Sequence, residues 1–219
     1  MKKYFYSVLC LGCVLLSACG GITKTQSTII TATPVKDDLE TLPKNIQDMI
    51  TANGKCYTVV EECSSDKNGN VITCRKDDLL KTSDEEATVA WSSYIITDLD
   101  QDDENELILW MNTDRLSKSV YIFDNQPDGV YAYGYPYRSI IRVYQDGVLF
   151  GSSGASDNQW YTLHFDKENV TETIVACMKG KADEILYYTE GTQVLEDEYY
   201  NYIETFNEET QIEQASYNF

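Results

Sequence analysis

The chain has 219 residues, with 17 Lys and Arg against 36 Asp and Glu and a formal net charge of −19. A surface of that sign repels nucleic acid and anionic headgroups, so no nucleic-acid partner is expected. Beyond the first 36 residues, about 180 remain, a length that suits one domain.

At the amino terminus Lys2 and Lys3 precede a largely apolar run from Tyr4 to Leu16. That run is shorter than the about 20 residues a helix needs to cross a bilayer, so it reads as a signal peptide. Leu16-Ser17-Ala18-Cys19 resembles a lipobox, in which small residues admit the peptidase and the cysteine thiol takes a diacylglycerol group. The resemblance implies that residues 1–18 are removed, that Cys19 is lipidated, and that acyl chains hold the protein on the extracytoplasmic face of the cell membrane. Each buried methylene contributes about 0.8 kcal/mol, so several chains on one cysteine hold more firmly than one. Residues 19–36 comprise the lipidated end and a Thr-rich stretch with little periodicity, expected to be a tether. The rest, 37–219, is expected to be a single extracytoplasmic domain.

Leu39, Leu42, Ile46, Met49 and Ile50 recur at helical spacing, with Thr41 before Pro43 as a start and Asn53-Gly54 as a stop. Short runs rich in Tyr, Val, Ile, Thr and Trp follow, separated by turn signals at Asn68-Gly69, Pro127-Asp128-Gly129, Asp146-Gly147 and Lys167-Glu168-Asn169. They predict strands near 57–62, 71–75, 88–97, 106–112, 119–124, 130–136, 139–145, 148–151, 159–165 and 170–178. A closing helix over 196–206 would put Tyr199, Tyr202, Ile203 and Phe206 on one face, with Glu196, Asp197 and Glu198 at its positive end. The predicted fold class is α+β, a mainly antiparallel sheet with an amphipathic helix near each end of the domain.

With Cys10 and Cys13 in the signal segment and Cys19 lipidated, Cys56, Cys63, Cys74 and Cys177 remain and allow three pairings. Cys63 and Cys74 flank the 66–70 turn nearly symmetrically, which makes Cys63–Cys74 the first candidate bridge, against buried free thiols as the alternative. The spacings from Cys56 to Cys63 and from Cys63 to Cys74 are not those of a structural zinc site.

The segment from Asp98 to Leu107 lies between two apolar runs, Tyr94–Ile96 and Leu107–Trp110. Calcium takes six to eight hard oxygens, and side chains at alternate positions of a curled loop point inward together. Asp98, Asp100, Asp102, the Glu104 carbonyl and Glu106 are the candidate ligands. Carboxylates crowded this closely repel one another unless a cation binds or one is protonated. Asp103 stands where a sharp turn favours glycine, and aspartate tolerates that backbone better than most residues. An acidic, solvated connection without an ion is the alternative.

At these residues the chain resembles the aspartate-rich loops of EF-hand-like and integrin-type repeat proteins. It is also similar to a group of uncharacterised lipoproteins of Gram-positive bacteria that carry a comparable acidic loop followed by a strand-rich region. Arg142-Val143-Tyr144-Gln145-Asp146-Gly147 and Gly151-Ser152-Ser153-Gly154-Ala155 extend that similarity over most of residues 39–206. It implies a lipid-anchored surface protein and no particular activity; the one cofactor considered, a calcium ion, is read from the acidic loop itself.

Tyr131, Tyr133, Tyr135 and Tyr137 alternate, so an extended backbone puts them on one face, where they would stack on sugar rings or pack in a core. Ser64-Ser65-Asp66-Lys67 and Ser156-Asp157-Asn158 match fragments of penicillin-binding enzymes, but no Lys-Thr-Gly accompanies them. His164 is the single histidine and lacks the company of a nucleophile motif. No catalytic residue is expected. The leading function is a non-enzymatic surface binding or scaffold protein with an unknown surface protein or glycan as partner; the alternatives are a carbohydrate-binding module and a hydrolase of glycan or cell-wall substrates.

Overall fold

A computed structural model describes residues 36–60, 70–80, 89–113, 119–136, 138–181 and 184–216. The signal segment, Cys19, nearly all of the Thr-rich stretch, Cys63 with its Asn68-Gly69 turn, and Tyr137 lie outside the described residues. Two helices, α1 (Lys36–Leu39) and α2 (Lys44–Ala52), precede the strands, and α3 (Glu196–Ile203) follows β12. The strands are β1 (Lys55–Val60), β2 (Asn70–Arg75), β3 (Val89–Thr97), β4 (Glu106–Thr113), β5 (Ser119–Gln126) and β6 (Gly129–Tyr135). They continue as β7 (Arg142–Val143), β8 (Leu149–Gly154), β9 (Asp157–Asp166), β10 (Asn169–Lys181), β11 (Glu184–Thr189), β12 (Thr192–Val194) and β13 (Ala215–Ser216).

These form two sheets. One has seven strands in the order β13-β3-β4-β5-β6-β1-β2, and the other six in the order β12-β11-β10-β9-β8-β7. Every pairing is antiparallel except that of β1 with β6, which is parallel and joins Tyr57 to Tyr131 and Thr58 to Ala132. The fold is therefore α+β and mainly antiparallel, as its alternating β-branched and aromatic runs predict.

Strand pleat explains the layering. Successive side chains point to opposite faces, so the unbroken apolar run of β4 serves two cores at once. Ile108 and Trp110 face the second sheet, where they meet Tyr161, Leu163 and Phe165 of β9 with Ile122, Tyr131 and Tyr133. Leu107 and Leu109 face the other way, onto Ile46, Met49 and Ile50 of α2. A third cluster packs Tyr199 of α3 on Trp160, Ala176 and Met178 at the outer face of the second sheet. The order of layers is helix, sheet, sheet, helix.

The helix α2 ends where Asn53 turns left-handed, φ 48°, and the Gly54 N–H donates to the Met49 carbonyl at 2.8 Å, a common helix stop. The helix α3 stops at Ile203, three residues before the predicted end, and the Glu198 carboxylate accepts from the Leu195 N–H at 3.0 Å. A hairpin that the sequence pattern does not announce, β11–β12, turns at Glu190 and Gly191, both at positive φ. Only Arg142–Val143 of the expected 139–145 strand is a strand.

In the β1–β2 register Cys56 of β1 faces Cys74 of β2, with the two Sγ atoms 3.5 Å apart and both thiols free; Cys63, the expected partner of Cys74, lies outside the described residues.

Candidate metal centre

The acidic loop joins two neighbouring strands of the first sheet, β3 and β4, and its shape comes from its own carboxylates. Asp98 Oδ1 accepts from the N–H groups of Gln101 at 2.7 Å and Asp102 at 3.2 Å, and its Oδ2 accepts from Asp103 N–H at 3.1 Å. Satisfying three donors with one side chain curls the backbone, and two residues take up the strain: Gln101 has φ 63° and Asp103 φ 72°. Asp103 thus adopts the left-handed turn for which a glycine is usual.

That curl aims three carboxylates at one point. Oxygens of Asp98, Asp100 and Glu106 lie within 4.8 Å of one another. Leu99 between them is 1% exposed and plugs the inter-sheet core, which holds the loop down. Glu106, also 1% exposed, takes the Leu99 N–H on Oε2 at 2.5 Å. The Asp100 side chain is 5% exposed; its Oδ2 accepts from Phe165 N–H of β9 and lies near His164 Nδ1, both at 3.3 Å. Its other oxygen, Oδ1, is buried and has no hydrogen-bond partner among the described residues. A buried carboxylate oxygen left bare costs its full desolvation, so this atom is where a cation has most to offer.

Burial dominates the electrostatics. It pushes Glu106 up to about 9 and raises Asp100, with neighbouring carboxylates adding to both. A fourth acid, Asp124 of β5, is 3% exposed and pushed up to about 6, again by burial first, although Gln126 Nε2 donates to it at 2.6 Å. Since Leu107 pairs with Phe123, Asp124 stands across the ladder from Glu106. Sequence reasoning missed Asp124 because only strand pairing brings it near; an acid directly after the mostly apolar run Val120 to Phe123 was the available signal.

Of the four expected carboxylate ligands, those of Asp98, Asp100 and Glu106 converge; the fifth expected ligand is the Glu104 backbone carbonyl, not its carboxylate. Asp102 and Glu104 are exposed: Asp102 Oδ1 accepts from Glu104 N–H at 2.8 Å, and the Glu104 carboxylate accepts from Asn125 Nδ2 at 2.9 Å. Their side chains serve the loop and its neighbours, not the triad. Three carboxylates offer hard oxygens suited to a divalent cation, with water to complete the shell. On the donor set and on the bare Asp100 oxygen, the residues fit a metal ion.

The tyrosine face is placed differently from a sugar platform. Tyr131 and Tyr133 are buried in the inter-sheet core, 5% and 3% exposed, and Tyr133 stacks on Phe165 with ring centroids 4.8 Å apart. Tyr135 is half-buried. In a strand whose one face covers another sheet, that face is the apolar one, so alternation selects burial over display. A cleft of about 510 Å³ runs beside them, bordered by Tyr133, Tyr135, the β9–β10 turn residue Glu168 and Asn169 at the start of β10. His164 is exposed beside Asp100, and Ser156 Oγ donates to the Gly180 carbonyl at 3.0 Å.

Compared with known proteins, the chain matches no family model, no curated protein and no solved structure.

Proposed function

We propose that this chain is a lipid-anchored binding or scaffold protein of the extracytoplasmic face, without enzymatic activity, whose two sheets are braced by one calcium ion. The observation that carries the calcium reading is Asp100: a side chain from one sheet's loop, bonded to the backbone of the other sheet, with one buried oxygen unclaimed. A cation there would neutralise Asp98, Asp100 and Glu106 and tie the sheets through the same residue. Calcium suits an all-oxygen, irregular site better than metals that favour nitrogen or sulfur. The anchoring reading rests on Lys2, Lys3, the apolar run and Leu16-Ser17-Ala18-Cys19, as in the lipoproteins of Gram-positive bacteria that the chain resembles.

Two measurements test the halves separately. Calorimetry of the detergent-solubilised chain is expected to give calcium-dependent heat in the wild type and none in Asp100→Ala; a silent wild type ends the calcium reading. Membrane fractionation is expected to move Cys19→Ser to the soluble fraction, and retention of that variant on the membrane ends the anchoring reading.

Glycan binding is a second reading, favoured by the cleft beside the half-buried Tyr135, whose rim adds Glu168 and Asn169 as polar partners. Loss of glycan-array signal in Asn169→Ala but not in Asp100→Ala would support it.

A further inference from the structure

We propose that Cys56 and Cys74 join as a disulfide in the mature protein. They are register partners in the β1–β2 ladder, and their sulfurs already lie 3.5 Å apart. Directly opposite residues of an antiparallel pair have Cα atoms about 4.5 or 5.5 Å apart, according to whether they exchange ladder bonds, and both values fall in the range of about 4.4–6.8 Å that a disulfide accepts. The bond therefore closes by side-chain rotation with the ladder intact. Cys177 is on the other sheet, where its ladder partners are Gln159 and Tyr188, so it does not compete.

The two thiols differ in a way that orders the chemistry. Cys56 is 1% exposed in the α2-facing core, whereas Cys74 is half-buried on the edge strand. The hydrogen bond from Cys56 holds the Cys74 thiol below its usual range, while the same contact and burial push Cys56 up. Cys74 is thus the attacking thiolate. Having lost its proton, it attacks one sulfur of an external disulfide and expels the other as a thiolate, leaving a mixed disulfide. Cys56 then gives up its proton and attacks the Cys74 sulfur, which expels the second thiolate. Two protein thiols are oxidised to one bond, and one external disulfide is reduced to two thiols. For a supply of that oxidant in the cell, the inference rests on the extracytoplasmic location proposed above.

The test supplies the oxidant directly, so it does not depend on location. The full chain is reduced, equilibrated with glutathione disulfide, alkylated in denaturant and digested. The expected product is a cross-linked peptide containing Cys56 and Cys74 that disappears on reduction, and that persists in Cys63→Ser. Recovery of Cys56 and Cys74 as separate alkylated residues, or of Cys74 bound to Cys63, overturns the proposal. A positive result here alongside a soluble wild-type protein in the fractionation would instead count against the anchor alone.

Discussion

A Cβ at Gly147 would lie 2.3 Å from the carbonyl oxygen of Leu99. The Asp146-Gly147 turn of the second sheet and the acidic loop of the first thus touch backbone to backbone. Gln101 Nε2 adds a bond to the Asp146 carbonyl at 2.8 Å. Gly147 also has φ 76°, which glycine adopts without strain. Gly147→Ala is therefore expected to destabilise the protein by about 1–3 kcal/mol, through both strain and displacement of the loop. Urea unfolding measures it, and the same variant should bind calcium more weakly. An unchanged midpoint and affinity would mean that the contact is not constrained.

Asp100→Asn keeps an acceptor for the Phe165 N–H but removes the charge. At calcium concentrations of about 10 to 100 times Kd, the wild type should gain about 1.4–2.7 kcal/mol of stability, and the variant nothing. In chelator, the variant should be at least as stable as the wild type, because one buried like charge is gone. Thermal unfolding with and without calcium separates this from simple damage, in which both conditions would suffer.

The buried acids predict a pH dependence in chelated protein. Glu106 and Asp124 have native values raised to about 9 and about 6. Between the unfolded and native values the native state holds more protons, so stability falls as the pH rises. The loss begins near pH 4 and continues toward pH 9, and should exceed about 1 kcal/mol, since a tenfold change in proton affinity on folding corresponds to about 1.4 kcal/mol. Calcium should flatten the curve. A chelated protein whose unfolding midpoint rises over pH 5 to 8 would contradict the placement of these two groups.

Ile122 is fully buried between the sheets, while Ile72 of the edge strand is 49% exposed. Ile122→Ala is expected to cost about 2–5 kcal/mol. Ile72→Ala should stay within about 0.5 kcal/mol. Equal costs in urea unfolding would show that the layers are not packed as described.

Local pattern carried the local features. Ile46, Met49 and Ile50 form one helical stripe, and they are the residues that α2 buries. Asp98 and Asp100 lie in one short loop and Glu106 opens the strand that follows it, so the sequence brings all three close together. Asp124 joins them only through the β4–β5 ladder, and no spacing in the chain announces that. Alternation grouped Tyr131 with Tyr133 correctly but could not say which side of β6 another sheet would cover. For Cys74, turn composition pointed to Cys63, which lies outside the described residues, while the neighbour that the ladder places opposite it, Cys56, is set by strand register and is announced by no spacing.

The parallel contact of β1 with β6 joins residues as far apart in sequence as Tyr57 and Tyr131. Closing so long a loop is slower than zipping the consecutive strands β3 to β6, which are linked by short turns or loops. A chain made from its amino terminus therefore produces β1 and β2 first and docks them late. Until then the open edge of β6 is exposed to other copies, so the newly made protein depends on speed or on assistance at that seam.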